Sequence, residues 1–409
     1  MKKIVAVLLT LTLVFGTVMT GCSGSGDTAG TSGKTADTKE VTADGKDSAD
    51  TGDAYQVDTG EAKYPVASEL ERHKIGVLWY GWTDLLSTSI KKNMDYIGKE
   101  FNCEIVYAEA MSAEEAIAET ENLIAAGCEG IISLFVYANM IEKCEETGVF
   151  LAQFCNETTD SELLTMIKDS KYFAGMVNEN DEACGEAMVD DLYERGCRNI
   201  VWLAPAAGMS TNHDNRVRGI ETATARYKDL NVLSNYRGDE MSDALTTFAV
   251  TYPDLDGIIL TGGASGGTEE FYQVMTSEGL SDRGVIFATI DIGEGTDERL
   301  ASGDLGWIAG GQFPTSGVAF TLVYNAITGN KVLSDPTKAL YRKFMVLQSV
   351  DDYNAYKTYV EGDIPPYSGD ELKSLIVKFN PEANVELYNQ FDDNYGIDDV
   401  VARHKELFK

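Results

Sequence analysis

Residues 123–137 read LIAAGCEGIISLFVY, and this stretch decides the fold. The end of an amphipathic helix meets Gly127, which stops the helix, and a continuous apolar run follows within three residues. A strand without polar alternation is covered on both faces, as in a parallel sheet packed between helices. The same join recurs at residues 192–201 as LYERGCRNIV, so the sequence predicts two similar lobes.

Strands and helices alternate on both sides of this stretch. Ser112 is followed three residues later by Glu115, which predicts a capping box at a helix start. Predicted strands lie at residues 74–80, 103–110, 130–137, 149–154, 199–204, 231–236, 257–260 and 285–291. Predicted helices lie at residues 86–101, 112–127, 139–147, 181–195, 217–227, 242–252, 269–278 and 317–329, and a further short helix ends at residue 302. Strands joined by crossover helices form parallel sheets, so the predicted fold class is α/β with two Rossmann-like lobes.

The N-terminus predicts secretion. A basic start is followed by an apolar run, residues 4–18, that is too short for a comfortable membrane span and is typical of a signal peptide. It ends in VMTGC, residues 18–22, which resembles the bacterial lipobox. That resemblance implies cleavage before Cys22, lipid attachment to its thiol, and anchoring to the outside of the cell membrane.

The remaining chain divides into a tether and two lobes. Residues 23–72 are rich in Gly, Ser, Thr, Asp and Lys to about residue 63 and predict a disordered polar tether. The sequence LGWIAGGQFP and the helix after it return the chain toward the first lobe. We therefore expect an N-terminal lobe at residues 73–177 plus 312–338, and a C-terminal lobe with an extended tail at residues 178–311 plus 339–409.

Composition excludes several functions. The formal net charge of −33 is spread along the chain, which argues against nucleic-acid binding because phosphates require a basic patch. No Cys-x-x-Cys pair is present and the three histidines are scattered, so no zinc or other metal site is predicted. The six cysteines other than Cys22 are interpreted as structural thiols, and whether any of them pair stays open.

A glycine loop at residues 257–270, GIILTGGASGGTEE, comes close to the dinucleotide-binding pattern of short-chain dehydrogenases, and Tyr353 and Lys357 have the spacing of that family's catalytic pair. A dinucleotide fold, however, places its glycine loop after the first strand, whereas this loop follows a late one. Residue 340, where the family's catalytic serine would stand, is leucine. We therefore predict no enzymatic activity and no cofactor.

Five stretches extend in order over roughly residues 74–350: IGVLWYGWTD, ENLIAAGCEGIISLFVYAN, MVNENDEACGEAMVDDLYERG, DNRVRGIETA and FATIDIGEGTDERLASGDLGWIAGGQFP. Together they resemble type I, ribose-binding-like solute-binding proteins of bacterial ABC transporters. The resemblance implies two lobes that close on a ligand about a three-crossing hinge. It also implies an ABC permease and ATPase as partners.

The same resemblance implies a site between the lobes, at the carboxyl ends of the strands. Asp291 matches the family's acceptor of sugar hydroxyls and Gln312 its hinge amide, whereas the first arginine of the "R-x-R" helix falls on Asp214. In the first lobe, Trp82 could stack on a sugar face, with Asp84 beside it. The predicted ligand-binding residues are Tyr80, Trp82, Asp84, Tyr137, Asn156, Asn180, Asp214, Asp291 and Gln312.

Departures from the family pattern argue against ribose itself. Gly262 and Gly263 replace an Asn-Asp pair, which predicts a roomier pocket or binding through backbone N–H groups. The predicted function is a lipid-anchored receptor that captures a small polar solute, foremost a sugar, for ABC-transporter uptake. A ligand-sensing module for a membrane receptor or kinase, and a nucleoside or autoinducer-type ligand, stay open as alternatives.

Overall fold

Two six-stranded sheets carry the fold, and they are seen in a computed structural model that describes residues 62–262 and 268–407. The expected signal peptide, Cys22 and most of the expected tether lie outside the described residues, as does Gly263 with the rest of the glycine loop to residue 267. The described end of the expected tether contains a 3₁₀ turn at Ala67–Glu69. Among the described residues, no helix is both long and apolar enough to cross a membrane.

Twelve strands build the two sheets. They are β1 (His73–Trp79), β2 (Cys103–Glu109), β3 (Gly130–Ser133), β4 (Phe150–Phe154), β5 (Phe173–Glu179), β6 (Asn199–Ala204), β7 (Asn231–Arg237), β8 (Gly257–Leu260), β9 (Ile286–Ile290), β10 (Leu305–Gly310), β11 (Leu340–Arg342) and β12 (Met345–Leu347). The first sheet has the order β11-β5-β4-β3-β1-β2 and the second the order β12-β10-β9-β8-β6-β7. All neighbours pair in parallel except β10 and β12. The predicted fold class, two α/β lobes with parallel sheets, is confirmed.

Fourteen helices surround these sheets in the described chain. They are α1 (Leu85–Glu100), α2 (Ala113–Ala125), α3 (Ala138–Thr147), α4 (Ser161–Asp169), α5 (Asp181–Glu194), α6 (Thr211–Thr224), α7 (Met241–Thr251), α8 (Glu269–Ser277), α9 (Thr296–Ser302), α10 (Thr315–Ile327), α11 (Val350–Tyr359), α12 (Gly369–Lys373), α13 (Val385–Asp393) and α14 (Ile397–Leu407). The sequence patterns did not predict α4, the strands β5, β10, β11 and β12, or the last four helices.

The start of α2 shows how the sequence sets a helix end. The Ser112 hydroxyl accepts a hydrogen bond from the Glu115 N–H at 3.2 Å, as a capping residue should. The Glu115 carboxylate, however, accepts from the N–H of Met111 at 2.7 Å rather than from Ser112. The second bond of the predicted capping box is therefore made with Met111, one residue before the cap, instead of with Ser112.

The chain passes three times between the sheets, as the resemblance implied. The crossings follow β5, β10 and β11, so β11 belongs to the first sheet and β12 to the second. The described residues all fall in one compact unit. One continuous apolar core extends through both lobes and the last helices, from Ile75 in β1 to Val400 in α14.

Helices α5 and α6 cross unusually closely at two glycines. A Cβ placed on Gly219 would lie 2.0 Å from the backbone oxygen of Glu182, and one on Gly185 would lie 2.0 Å from that of Arg216. The glycine in the DNRVRGIETA motif is therefore required by backbone contact between helices. This contact fixes α6 where it reaches the hinge.

Candidate ligand-binding cleft

A cleft of about 1050 Å³ lies between the two lobes at the carboxyl ends of their strands. Binding sites of open parallel sheets form at this edge. The first lobe contributes Tyr80, Thr83, Asp84, Leu85, Leu86, Ser89 and Met111. The second lobe contributes Thr268, Glu269, Asp291, Ile292, Gly293 and Glu294. The hinge contributes Gly311, Gln312 and Phe313, and the last part of the chain contributes Tyr356 and Glu361.

Asp291 directly follows β9 and has a backbone φ of 81°. A non-glycine residue in this left-handed region is strained, and such strain is concentrated at functional sites. The Gln312 amide donates to an Asp291 carboxylate oxygen at 3.3 Å. Asp291 lines the cleft and is exposed there.

The first-lobe wall is organised by Asp84, the capping residue of α1. Its two carboxylate oxygens accept from the backbone N–H and the hydroxyl of Ser87, each at 2.8 Å. The Trp79 indole donates to the same hydroxyl at 3.1 Å. Burial raises the pKa of Tyr80, and its hydrogen bond to Asp84 raises the pKa further. The Tyr80 hydroxyl therefore stays protonated and is oriented by a carboxylate at the cleft wall.

The lining of this cleft is acidic. Five of the lining residues are Asp84, Glu269, Asp291, Glu294 and Glu361, and none of the described lining residues is lysine, arginine or histidine. The sequence between Gly262 and Thr268 reads GASGG and contains no ionisable side chain. The arrangement favours neutral or cationic ligands and repels anions.

Gly262, at the end of β8, does not simply open space. Its φ is 127°, and a Cβ there would lie 3.0 Å from Nη1 of Arg216, 3.3 Å from Oδ2 of Asp291 and 3.3 Å from His213. The volume vacated by the absent side chain is therefore bounded by these three groups. At Gly262 itself a guanidinium and an imidazole occupy the place next to the carboxylate, so this glycine adds little open space, and binding through backbone N–H groups stays a prediction.

Four of the nine predicted site residues line the cleft together: Tyr80, Asp84, Asp291 and Gln312. Trp82 does not line it. Its indole donates to the Ala108 carbonyl at 3.2 Å and its ring contacts Tyr107 edge to face, at a centroid distance of 5.0 Å. Trp82 therefore packs against the end of β2, and it is not among the lining residues that a sugar in the cleft would contact.

The other four predicted site residues lie away from the cleft lining. Tyr137 precedes α3 and stacks near Phe135, and Asn180 caps α5 by accepting from the Ala183 N–H. Asn156 bonds to backbone at the end of β4. Asp214 pairs with Arg237 and accepts from the Gly208 N–H, so it is committed to its own lobe.

A buried polar network lies at the first crossing, behind Asp291. The Arg216 guanidinium donates to Asp181 at 2.6 Å and to the Thr261 carbonyl at 2.7 Å. Burial raises the pKa of Asp181 to about 6, and the Arg216 charge opposes that rise. Burial likewise raises the pKa of Glu179 to about 7, while a hydrogen bond from Thr315 lowers it. The second arginine of the "R-x-R" helix was the available sequence signal for this network.

On the same side, α6 bonds directly to the first lobe. The Asn212 amide donates to the Cys155 carbonyl at 2.9 Å, and the Asn215 amide donates to Glu157 at 2.6 Å. Cys155 has a positive φ of 52°, which turns its carbonyl at the end of β4. The lobes are thus joined along one edge by α6, and the cleft lies beside this junction.

No protein-family model and no curated protein matches this sequence. Solved structures do resemble it. A galactofuranose binding protein superposes with a TM-score of 0.59 and 12% identity, covering 71% of this chain and 99% of the other. A periplasmic solute binding protein of an ABC transporter from Actinobacillus succinogenes, with bound D-allose, has a TM-score of 0.59 and 17% identity, covering 69% and 99%.

The periplasmic component of an arabinose ABC transporter from Shewanella is similar, with a TM-score of 0.58 and 16% identity over 69% of this chain and 93% of that one. At these identities the likeness shows the fold. The chain has the two-lobed fold of type I periplasmic binding proteins, as the sequence resemblance implied. About three tenths of the chain has no counterpart in these neighbours.

Proposed function

We propose that this protein is a receptor that captures a neutral sugar between its lobes and delivers it to an ABC permease. The observation that carries the proposal is Asp291, a carboxylate held in a strained conformation at a strand end, with the Gln312 amide beside it in an inter-lobe cleft. Structures with this fold include proteins described with bound D-allose or arabinofuranose. A carboxylate paired with an amide suits a ligand that presents vicinal hydroxyl groups.

Recognition follows from the chemistry of the lining. Asp291 accepts hydroxyl hydrogens in charge-assisted bonds, and Gln312 donates to a ring or hydroxyl oxygen. Tyr80 supplies a neutral phenol from the opposite lobe. Because these groups belong to the two lobes and the hinge, a bound sugar stabilises the closed arrangement over the open one. The permease then distinguishes the loaded receptor by its shape.

The location of the receptor is part of the proposal. The lipobox-like sequence supports cleavage before Cys22 and lipid anchoring on the outer face of the cell membrane. Capture of an uncharged ligand in this acidic cleft needs no cofactor and involves no chemical reaction. Mass spectrometry of the protein extracted from membranes tests the anchor, because a diacylglyceryl group on Cys22 adds a defined mass and a Cys22→Ser variant lacks it.

A thermal-shift panel tests the function. We expect one or more of D-allose, D-galactose, D-tagatose and L-arabinose to raise the melting temperature, because a ligand at 100 times its Kd stabilises the native state by about 2.7 kcal/mol. D-Glucuronate should produce no shift, since its carboxylate meets an acidic lining. A shift with adenosine alone would replace the sugar by a nucleoside, and no shift with any compound at 10 mM would overturn the receptor assignment.

A further inference from the structure

The last four helices, residues 350–407, form what we call the C-terminal segment, and it contacts both lobes. Helix α11 packs on α9 and β12 of the second lobe, whereas α12 packs on α10 and α13 on β11 of the first. Between α11 and α12 the chain crosses the molecule. There the Lys92 ammonium donates to the Gly362 carbonyl at 2.9 Å, and the Gly369 N–H donates to the Tyr96 hydroxyl at 2.7 Å.

This segment also contacts two of the three hinge crossings. The Tyr395 hydroxyl donates to the carbonyl of Gly311 at 2.6 Å, and the Tyr356 ring lies 3.5 Å from the position of a Cβ on the same glycine. At the third crossing, Arg342 lies 3.3 Å from the buried Asp392, although the two groups are not aligned for a hydrogen bond. The C-terminal segment is therefore built into the hinge.

The comparison with solved structures supports treating this segment as an addition to the common fold. The neighbours are covered almost completely, yet 29 to 31% of this chain is unmatched. Residues 1–72 make up less than a fifth of the 409 residues, so about a further tenth must lie elsewhere. The C-terminal segment is the part of the described chain that follows both sheets and has this size.

Two of its residues reach the ligand cleft. Tyr356 and Glu361 are lining residues, together with Asp291 and Gln312. The loop that carries Glu361 is held in place, because Val360 before it is fully buried and the Glu361 N–H donates to the Tyr356 carbonyl at 3.1 Å. Lys357, one turn earlier, forms an ion pair with the Glu361 carboxylate. A fixed carboxylate at the cleft wall is suited to accept a hydrogen bond from a ligand.

We propose that Glu361 is a ligand-contacting residue, so that the C-terminal segment adds a second carboxylate subsite to the one formed by Asp291. Tyr356 acts as its positioning residue, since it connects the Glu361 loop to the hinge at Gly311. This inference rests on the proposed function. The receptor accordingly selects polyhydroxylated ligands that present hydrogen-bond donors to two separate carboxylates, and it discriminates against deoxy or methylated analogues at the Glu361 end.

The test is isothermal titration of Glu361→Gln with D-allose, D-galactose, D-tagatose and L-arabinose. We expect Kd for each sugar that binds the unaltered protein to rise about 5- to 13-fold, the effect of replacing one charge-assisted hydrogen bond by a neutral one. Lys357→Gln is the matched control, because it breaks the same ion pair but leaves the carboxylate in the cleft. Its Kd should stay within threefold of the unaltered protein, as should that of Glu382→Gln on an exposed part of the segment.

The outcomes separate this inference from the proposed function. If Asp291→Asn loses affinity while Glu361→Gln keeps it, the subsite is overturned and the receptor stands. If Lys357→Gln weakens binding as much as Glu361→Gln, the carboxylate acts through its ion pair, and ligand contact is refuted. If none of the four sugars binds the unaltered protein, the receptor proposal fails and the subsite fails with it.

Discussion

Replacing Asp291 tests the centre of the site. Asparagine keeps the size of the side chain and tolerates a positive φ better than most residues, so Asp291→Asn removes the charge without adding backbone strain. It also preserves an acceptor for the Gln312 amide. Alanine at φ 81° would add strain to the loss of charge, and its effect on affinity would be harder to interpret.

The expected loss follows from the number of bonds at the carboxylate. Hydrogen bonds to a charged group contribute about 1.5–3 kcal/mol and neutral ones about 0.5–1.5 kcal/mol, so each bond loses about 1–1.5 kcal/mol. A carboxylate that accepts two sugar hydroxyls therefore loses about 2–3 kcal/mol, or about 30- to 150-fold in Kd. The enthalpy of binding should fall as well.

Isothermal titration with the four neutral sugars measures this loss, and thermal denaturation without sugar verifies the fold. Because Asp291 is exposed in the cleft, the melting temperature of Asp291→Asn should stay within about 2 °C of the unaltered protein. Asp282→Asn, an exposed substitution in the same lobe, should leave both quantities unchanged. A Kd within threefold of the original for Asp291→Asn would refute the assignment of the carboxylate as the principal sugar acceptor.

Three further substitutions test the fold around the cleft. Gly219→Ala should lower the free energy of unfolding by about 2 kcal/mol, because the new Cβ would lie 2.0 Å from the backbone oxygen of Glu182. Urea unfolding measures this loss. The control Gly81→Ala, whose Cβ would have nothing within 4 Å, should be neutral or stabilising. Burial raises the pKa of Glu179 to about 7 from 4.5, so the native state retains a proton that the unfolded chain releases, and this contribution to stability falls as pH rises from 4.5 to 7. The melting temperature of Glu179→Gln relative to the unaltered protein should therefore rise over that window, and a constant difference would contradict the raised pKa. Asp392→Ala should cost about 3 kcal/mol in urea unfolding, since it leaves the Arg342 charge buried without its ion partner; a loss below 1 kcal/mol would show that the pair contributes little.

Local sequence patterns predicted the lobes because each strand is a short apolar run bounded by a polar or glycine-containing join. Apart from α4, β5 and β10, the strands and helices from β1 to α10 were predicted in this way, and the boundaries differ by a few residues where caps decide them. The start of α6 was placed at residue 217, six residues late, because its first turn is polar and contacts the hinge rather than a core. Helix α4 has a single buried residue, Ile167, which explains why its pattern was not recognised.

The site was predictable where chain position alone decides it. Tyr80 and Asp291 directly follow parallel strands, and these strand ends meet at the cleft whatever the packing. Two of the predicted site residues that lie outside the cleft lining are held by partners distant in sequence. Trp82 turns to a carbonyl 26 residues away, and Asp214 pairs with an arginine 23 residues away. The spacing of apolar residues along the chain does not indicate which distant residues pair in this way.

The C-terminal segment escaped prediction for the same reason, and this bears on how the lobes move. Its contacts with Gly311 and Arg342 connect it to crossings that precede it by 45 to 84 residues. Because the Arg342–Asp392 pair is buried, a rotation that separated the two groups would leave a buried charge without its partner, which is strongly unfavourable. Helix α13, which carries Asp392, packs on β11, which carries Arg342, so the pair lies within the first lobe and a closing rotation about the crossings leaves it together. Helix α11, which precedes the Glu361 loop, packs on α9 and β12 of the second lobe, so we expect this loop to move together with Asp291.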